Sequence, residues 1–391
     1  MISVDSAKDI IKENTLRATP VKMPLLEALG LTLAEDIYAH TDIPAFAQSS
    51  MDGYALKFSD LRQMVIAGEM QAGATVPQRV EEHQATRIFT GAPLPEGADT
   101  VIMQEKVKVE SGQLFLLDDQ LIAGLNVRAK GAEAKKGELA MAAATYLSPA
   151  AIGFLAGIGL TEVMVYRPLR VTIILTGNEL QEPGTPLRFG QVYEANSVML
   201  KAALQQAQVK QVDVLKALDD LDELIAVLQL ALSQSDMVLL TGGVSVGDYD
   251  FVVAATAACG IQQQFHKIKQ KPGKPLFFGT KGRQLIFGLP GNPSSVLTCF
   301  YQYVLPALAI SGQGTKEVKT TTAILTADYT KTSGLTHFIK ASYHQGMVTP
   351  LSAQESFRLH SFAQANAFIV LKEDQTQVLA GESVEVHLLP I

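Results

Sequence analysis

The chain has no tryptophan and only two cysteines in 391 residues. Cys259 and Cys299 stand far apart in apolar, helical-looking surroundings. That spacing gives neither a disulfide framework nor a metal site, so both read as buried thiols. None of the seven histidines pairs with another at metal-ligand spacing, and His266 and His360 read as surface or packing residues. No apolar run reaches the roughly 18 residues of a membrane span. The first ten residues, Met1 to Ile10, lack the apolar core of a signal peptide. The expectation is a soluble, cytoplasmic protein with no membrane contact. A net charge of -7 argues against general nucleic-acid binding. Neither a Gly-x-Ser-x-Gly elbow nor a Gly-Lys-Ser/Thr phosphate loop occurs, which removes the serine-hydrolase and Walker-type readings. No repeat and no low-complexity segment is found.

What is present is a globular composition. Hydrophobic residues make up 47% of the chain and charged residues 18%, enough for real cores, and the length suits two to four domains. The most informative stretch runs from Asp236 to Asp250. An apolar strand, Met237 to Leu240, enters Thr241-Gly242-Gly243-Val244-Ser245-Val246-Gly247, and a helical pattern follows from Asp250-Phe251. Glycine lets backbone approach a ligand closely, and N–H groups gathered at a helix start attract anions. A second turn of this kind is Gly288-Leu289-Pro290-Gly291-Asn292-Pro293-Ser294. Asn292 suits a helix N-cap and Pro293 the first helical position. Between the turns, Phe265 to Pro275 carries four lysines and no acid in an acidic protein. One such turn alone is ordinary, and a lysine loop alone is a solvated face. Two turns flanking the lysines point to a phosphate-bearing or other oxyanionic ligand.

Along the chain, Ser6–Leu16 and Leu25–Glu35 read as short helices, and residues from about 53 to 131 as a mostly β domain of short alternating runs. Leu147 to Ile158 reads as a buried helix. From Leu169 strand and helix patterns alternate to about residue 312, the signature of a doubly wound, mostly parallel α/β domain. In such sheets ligands bind outside the carboxyl ends of the strands. Thr176-Gly177-Asn178-Glu179, Thr241-Gly242-Gly243 and Gly288-Leu289-Pro290-Gly291 all lie at those ends. The tail carries strands at 320–325, 336–343, 368–372 and 383–389, read as a small β-barrel or sandwich.

Glu179, Glu194, Asp236, Asp248 and Asp250 lie in or near the strand-end turns. Carboxylates beside a phosphate site suit Mg²⁺, which takes oxygen ligands. Asp250 fits a metal ligand and a helix cap equally. Asp236 begins its strand and also suits a solvated turn acid. Lys271 and Lys274 would neutralise oxyanion charge.

On these motifs the chain resembles the molybdopterin molybdenumtransferase (MoeA) family, to which the E domain of gephyrin is also similar. The markers are Ser50-Met51-Asp52-Gly53-Tyr54-Ala55, Thr90-Gly91-Ala92-Pro93 with Gly97-Ala98-Asp99, and Thr176-Gly177-Asn178-Glu179-Leu180. The two glycine turns and Lys271-Pro272-Gly273-Lys274-Pro275 complete them, with a weaker C-terminal signature at Ser356, Ser361, Ala365 and Asn366. The resemblance implies four parts: an elongated linker domain (1–44 with 137–168), a small mostly-β domain (45–136), an α/β molybdopterin-binding domain (169–312) and a C-terminal β-barrel (313–391). It implies a homodimer whose site joins the α/β domain and barrel of one subunit to the β domain of the other, and leaves room for other molybdenum cofactor biosynthesis proteins as partners. The implied reaction is Mg²⁺-dependent insertion of molybdate into adenylylated molybdopterin with release of AMP. Carried over by motif, Asp52 and Thr90 would form the β-domain wall, and Glu179, Asp236 and Asp250 the metal and pterin side. Lys271, Lys274, Pro290, Pro293 and Ser294 would line the molybdate and phosphate side. Thr176, Gly177, Gly242, Gly243, Ser245, Gly247, Gly291, Asn292 and Ser361 would contact the pterin-bearing substrate.

The chain departs from the family pattern at three positions. Glu133 and Glu194 stand where the family more often has Asp, and Lys340 where some members have Arg, which leaves the roles of all three open. A related adenylyltransferase and a gephyrin-like binding scaffold are the rival readings.

Overall fold

The computed structural model describes residues 1–243, 251–314 and 318–390. They form two compact units, Met1–Ala34 with Tyr146–Ile152 and Glu162–Ile391, and Glu35–Thr145 with Gly153–Thr161.

The second unit is built on a six-stranded sheet. Its strands are, in spatial order, Thr100–Met103, Gly53–Leu56, Gln84–Ile88, Gln63–Met70, Gln113–Leu116 and Val107–Glu110. Leu56, Met64, Ala85, Ile102 and Leu114 pack on one face and Ala55, Met70, Ile88 and Val101 on the other. Neighbouring residues such as Ala55 and Leu56, or Val101 and Ile102, thus face opposite sides of the sheet and enter different cores.

In the first unit, helix α1 (Val4–Asn14) is capped by the Ser3 hydroxyl, which accepts from the Ser6 N–H at 3.1 Å. The central sheet comprises β1 (Arg170–Thr176), β2 (Gln211–Ala217), β3 (Met237–Thr241), β4 (Gln262–His266), β6 (Phe277–Lys281) and β7 (Gln284–Leu289), in the order β2-β1-β3-β7-β6-β4. The four strands β2, β1, β3 and β7 are parallel, and β6 and β4 extend the sheet antiparallel. The short strand β5 (Gln270–Lys271) lies outside this sheet. Helices α2 (Asn196–Gln206), α3 (Leu221–Gln234) and α4 (Val252–Ala258) cover the sheet, as the strand-helix alternation predicts. Both faces are buried. Val171, Ile173 and Leu175 of β1 enter one core, and Ile174 with Val238 and Leu240 of β3 enters the other. This is why the strands read as continuous apolar runs. Truncating a buried residue such as Ile173 to Ala costs roughly 2–5 kcal/mol. Helix α3 starts where its Asp220 N-cap accepts from the Glu223 N–H at 3.0 Å, with Asp222 and Glu223 in the positive first turn.

After β7, α5 (Pro293–Cys299) continues through a π-helical stretch (Phe300–Val304) into α6 (Leu305–Ile310). This 18-residue helix is long and apolar enough to cross a membrane, contrary to the expectation from the sequence, but 78% of it is buried inside the fold. It is apolar all round because it is a core element. Residues 25–35 do not form the expected helix. They make separate turns, with the Ala28 N–H bonded to Pro24 O and the Leu31 N–H to Ala28 O. Thr32 and Leu33 then extend to bridge Tyr146 and Val165. Tertiary pairing overrides local propensity there.

The tail closes into a barrel of five strands: β8 (Lys319–Leu325), β9 (Thr336–His344), β10 (Met347–Pro350), β11 (Ala367–Leu371) and β12 (Ser383–Leu388). The pairings run β8-β10-β9-β11-β12 and back to β8. Leu325, Ile339, Val348, Ile369 and Val386 fill it. The sequence showed four of these strands. The fifth, β10, is the one that shuts the ring.

Candidate functional site

A cleft of about 1050 Å³ opens at the carboxyl ends of the central strands. It lies where the strand order reverses, between β1 and β3, the position at which doubly wound sheets bind ligands. Thr176 ends β1 and Gly177 follows it, Asp219 follows β2, Gly242 and Gly243 follow β3, and Pro290, Gly291, Asn292 and Pro293 follow β7. Lys271 and Lys274 enter from the lysine loop, and Gln354, Ser356 and Phe357 from a barrel loop. The three turns singled out in the sequence therefore share one rim.

The close approach of the turns explains the glycine at 242. The Thr176 hydroxyl donates to Thr241 O at 3.2 Å, tying β1 to β3. Gly242 has φ +87°, and a Cβ there would lie 2.7 Å from both the Thr176 carbonyl oxygen and its hydroxyl. No L side chain fits without strain. In the turns after β1 and β2, Asn178 and Asp219 bond reciprocally: the Asn178 N–H donates to Asp219 Oδ2 at 3.2 Å, and the Asp219 N–H to Asn178 Oδ1 at 3.3 Å. Asn292 is the N-cap of α5, as expected, but its side chain does not cap. Its Nδ2 instead donates to Ser356 Oγ at 2.9 Å, while the Ser294 N–H donates to Ser356 O at 3.1 Å. Ser356 thus joins the barrel loop to the helix start. Asn196 donates from Nδ2 to Gly291 O at 2.9 Å, and its Oδ1 is buried without a partner among the described residues.

Several expected residues are placed elsewhere. Asp236 sits at the opposite end of β3 from the cleft. Its carboxylate accepts from Arg167 at 2.6 Å and from the Arg170 N–H at 2.8 Å. It anchors the start of the sheet and is not part of the cleft lining. Ser361 is buried outside the cleft lining, and its hydroxyl donates to Ala353 O at 2.8 Å, supporting the barrel loop from below. Ser294 is also buried, with its Oγ unpartnered among the described residues. Ser245, Gly247 and Asp250, with Asp248, lie outside the described residues. Of the four loop lysines, Lys269 is engaged with Glu373 at 3.1 Å, while Lys271 and Lys274 line the cleft.

In the second unit, Asp52 and Thr90 are brought together. The Thr90 N–H and hydroxyl each donate to Asp52 Oδ1 at 2.8 Å. These two bonds, the backbone one first, hold the Asp52 carboxyl below the usual carboxylate range. Arg87 adds a weaker attraction.

The departures from the family pattern have physical accounts in two cases. Glu194 caps α2: its carboxylate accepts from the Ser197 N–H at 2.8 Å and the Ser197 hydroxyl at 2.5 Å. Lys340 is buried and donates to the carbonyls of Ala353 at 2.8 Å and Arg358 at 3.0 Å. Burial pushes its ammonium below the usual lysine range. It holds the two ends of the barrel loop that carries Ser356. For Glu133 the structure gives only backbone contacts, to Ile43 O.

Asp219 also lines the cleft, as do Leu335, Gln354 and Phe357 from the barrel, and none of the four was singled out from the sequence. Among the described residues no group of three or more His, Cys, Asp or Glu side chains could hold a metal ion. The oxygen donors of the cleft nonetheless fit Mg²⁺ in the form it usually takes, one or two carboxylates plus substrate phosphate. Glu179 is the one that fits. Its carboxylate folds back against Gly177, and no hydrogen bond to it occurs among the described residues.

Residues 2–159 match the MoeA N-terminal region (domain I and II), 172–310 a probable molybdopterin binding domain, and 322–389 the MoeA C-terminal region (domain IV). The chain is 36% identical to a molybdopterin molybdenumtransferase of Haemophilus influenzae, covering 100% of both chains. It is 33% identical to the molybdopterin molybdenumtransferase of Bacillus subtilis, covering 93% of this chain and 89% of that one. Its fold is similar to the crystal structure of a molybdopterin biosynthesis moeA protein from Pyrococcus horikoshii OT3, with a TM-score of 0.83 and 29% identity over 99% of this chain and 100% of the other. Matched from end to end in sequence and in fold, this chain belongs to the molybdopterin molybdenumtransferase, or MoeA, family.

Proposed function

We propose that this chain is a molybdenum cofactor biosynthesis enzyme, a transferase that inserts molybdate into adenylylated molybdopterin and releases AMP. The observation that carries this reading is the convergence of three strand-end turns and two lysines on one cleft of about 1050 Å³, a volume at the upper end for small-molecule sites. Lys271 and Lys274 hold the oxyanions, phosphate and molybdate, as charged donors. The turns after β1, β3 and β7 bring backbone close to the pterin-bearing substrate. Glu179 is the described carboxylate placed to share a Mg²⁺ with the substrate phosphate. When bound, that ion would stabilise charge on the departing phosphate.

Asp52, held ionised by Thr90, is the β-domain contribution, delivered from a second subunit of a cytoplasmic homodimer. The four-part division at 1–44 with 137–168, 45–136, 169–312 and 313–391 belongs to the same proposal.

The test is turnover of purified protein with adenylylated molybdopterin and molybdate, with and without Mg²⁺. AMP release that requires both molybdate and Mg²⁺ is expected. Absence of AMP release under these conditions rejects the reading.

A further inference from the structure

The lysine loop is held from beneath by a side chain that no motif singles out. Gln270 is fully buried and immediately precedes Lys271. Its Nε2 donates to Pro272 O at 3.0 Å and Gly273 O at 3.2 Å. Its Oε1 accepts from the Tyr303 hydroxyl. Tyr303 lies on the buried π-helical stretch and is itself 1% exposed. Burial pushes its phenol well above the usual range, so it remains a donor. The amide is therefore oriented by its partners: its oxygen meets a hydroxyl, and its nitrogen meets two carbonyls.

Those two carbonyls matter for the opposite edge of the peptide groups. In a trans peptide the C=O and the following N–H point in opposite directions. Drawing Pro272 O and Gly273 O inward turns the N–H groups of Gly273 and Lys274 outward. Neither N–H donates to another group among the described residues. Gly273 has φ +89°, and a Cβ there would lie 2.6 Å from Cys299 Sγ and 2.7 Å from Gln270 Nε2. The loop is seated directly on Gln270. Successive outward N–H groups with a positive-φ residue between lysines make a concave anion site.

We propose that Gln270, backed by Tyr303, is a positioning residue that aims the Gly273 and Lys274 N–H groups into the cleft, so that the loop grips an oxyanion by backbone donors as well as by two ammonium groups. This rests on the reading of the cleft as an oxyanion site.

Three variants test it: Gln270→Met, which keeps length and burial but removes every hydrogen bond, Gln270→Glu, and Tyr303→Phe. Molybdate affinity is measured by titration calorimetry, alongside molybdate KM, kcat and Tm. Gln270→Met is expected to weaken molybdate binding and raise KM about tenfold, with kcat within about twofold. Tyr303→Phe should weaken binding about threefold. Gln270→Glu should bind poorly at pH 8 and recover as the pH falls, because the protonated carboxyl regains one donor for the loop carbonyls. A residue that only packs would show no such pH dependence. Folded Gln270→Met protein with wild-type molybdate affinity overturns the proposal. Should that variant not fold, unchanged affinity in Tyr303→Phe overturns it equally. A wild-type protein that binds molybdate but releases no AMP rejects the proposed reaction and leaves this inference standing, whereas one that binds neither molybdate nor phosphate sinks both.

Discussion

The two ends of the central sheet are built to opposite rules. At the amino ends of the strands, polar groups are satisfied within the protein. Asp236 is bound by Arg167 and the Arg170 N–H, and Ser235 and Thr172 share a buried 2.5 Å hydrogen bond. At the carboxyl ends, groups are left open. Among the described residues the Glu179 carboxylate accepts no hydrogen bond, Asn196 Oδ1 has no partner, and the Gly273 and Lys274 N–H groups donate to nothing. A buried polar atom normally finds a partner, so the unpartnered Asn196 Oδ1 marks this rim as the place where a ligand completes the structure, while the exposed Glu179 carboxylate stays open to solvent or a ligand. The contrast also separates acids that look alike in the sequence. Asp236 and Glu179 both sit beside strand ends, but only one is free to meet a substrate.

The sharpest attack on this contrast is removal of charge from the open rim. Lys271→Ala combined with Lys274→Ala should reduce molybdate-dependent turnover by roughly 100-fold, since charged hydrogen bonds contribute most. Both lysines are exposed, so Tm should stay within a few degrees, as differential scanning calorimetry would show. Turnover that survives the double substitution would remove the lysines from the site.

A backbone change comes next. Gly242→Ala forces a Cβ against Thr176 at φ +87°, which should destabilise the fold by about 1–3 kcal/mol in urea unfolding and lower turnover as the rim distorts. An unchanged midpoint would mean that the turns are less tightly apposed than the 2.7 Å approach requires.

At the closed rim the expected result is reversed. Asp236→Asn loses the charge of a partly exposed pair and should cost about 1 kcal/mol of stability while kcat and KM stay at wild-type values. A selective loss of kcat would return Asp236 to the site.

The smallest effect concerns His337, paired in register with Lys271. Burial lowers its pKa to about 4, with Lys331 and Lys271 adding repulsion. The folded value lies below the ordinary one. Its contribution to stability is therefore present above about pH 6.5 and is lost as pH falls through about 4. Lys271→Ala removes one of the cations, so the His337 titration seen by NMR should move up. No movement would place the Lys271 charge away from this strand.

The sheet was legible because its strands are buried on both faces and read as apolar runs ending in glycine turns. Thr176, Gly242 and Pro290 were found by that logic, from local sequence alone. What escaped came from long-range partners. Nothing near Asp236 reveals that Arg167 will bind it, and nothing near Gln354 or Phe357 places them over the turns of another domain. Glu194 read as an acid near the strand-end turns and does line the cleft, but nothing in that reading showed that its carboxylate would bond Ser197, three residues on. Residues 25–35 looked helical until the pairing of Leu33 with Val165 decided otherwise. Strand β10 is four residues long, too short for alternation to announce it.

The short strand β5 carries a mechanical consequence. Gln270 and Lys271 pair in parallel with Thr336 and His337 of barrel strand β9, while the Gln270 side chain is pinned to Tyr303 on the long core helix. The lysine turn is thus riveted to two domains at adjacent atoms. A sheet domain excised without its barrel would keep its glycine turns but lose one of the two fastenings that frame its cations, so an isolated α/β fragment of this chain should be a poorer oxyanion trap than its own sequence suggests.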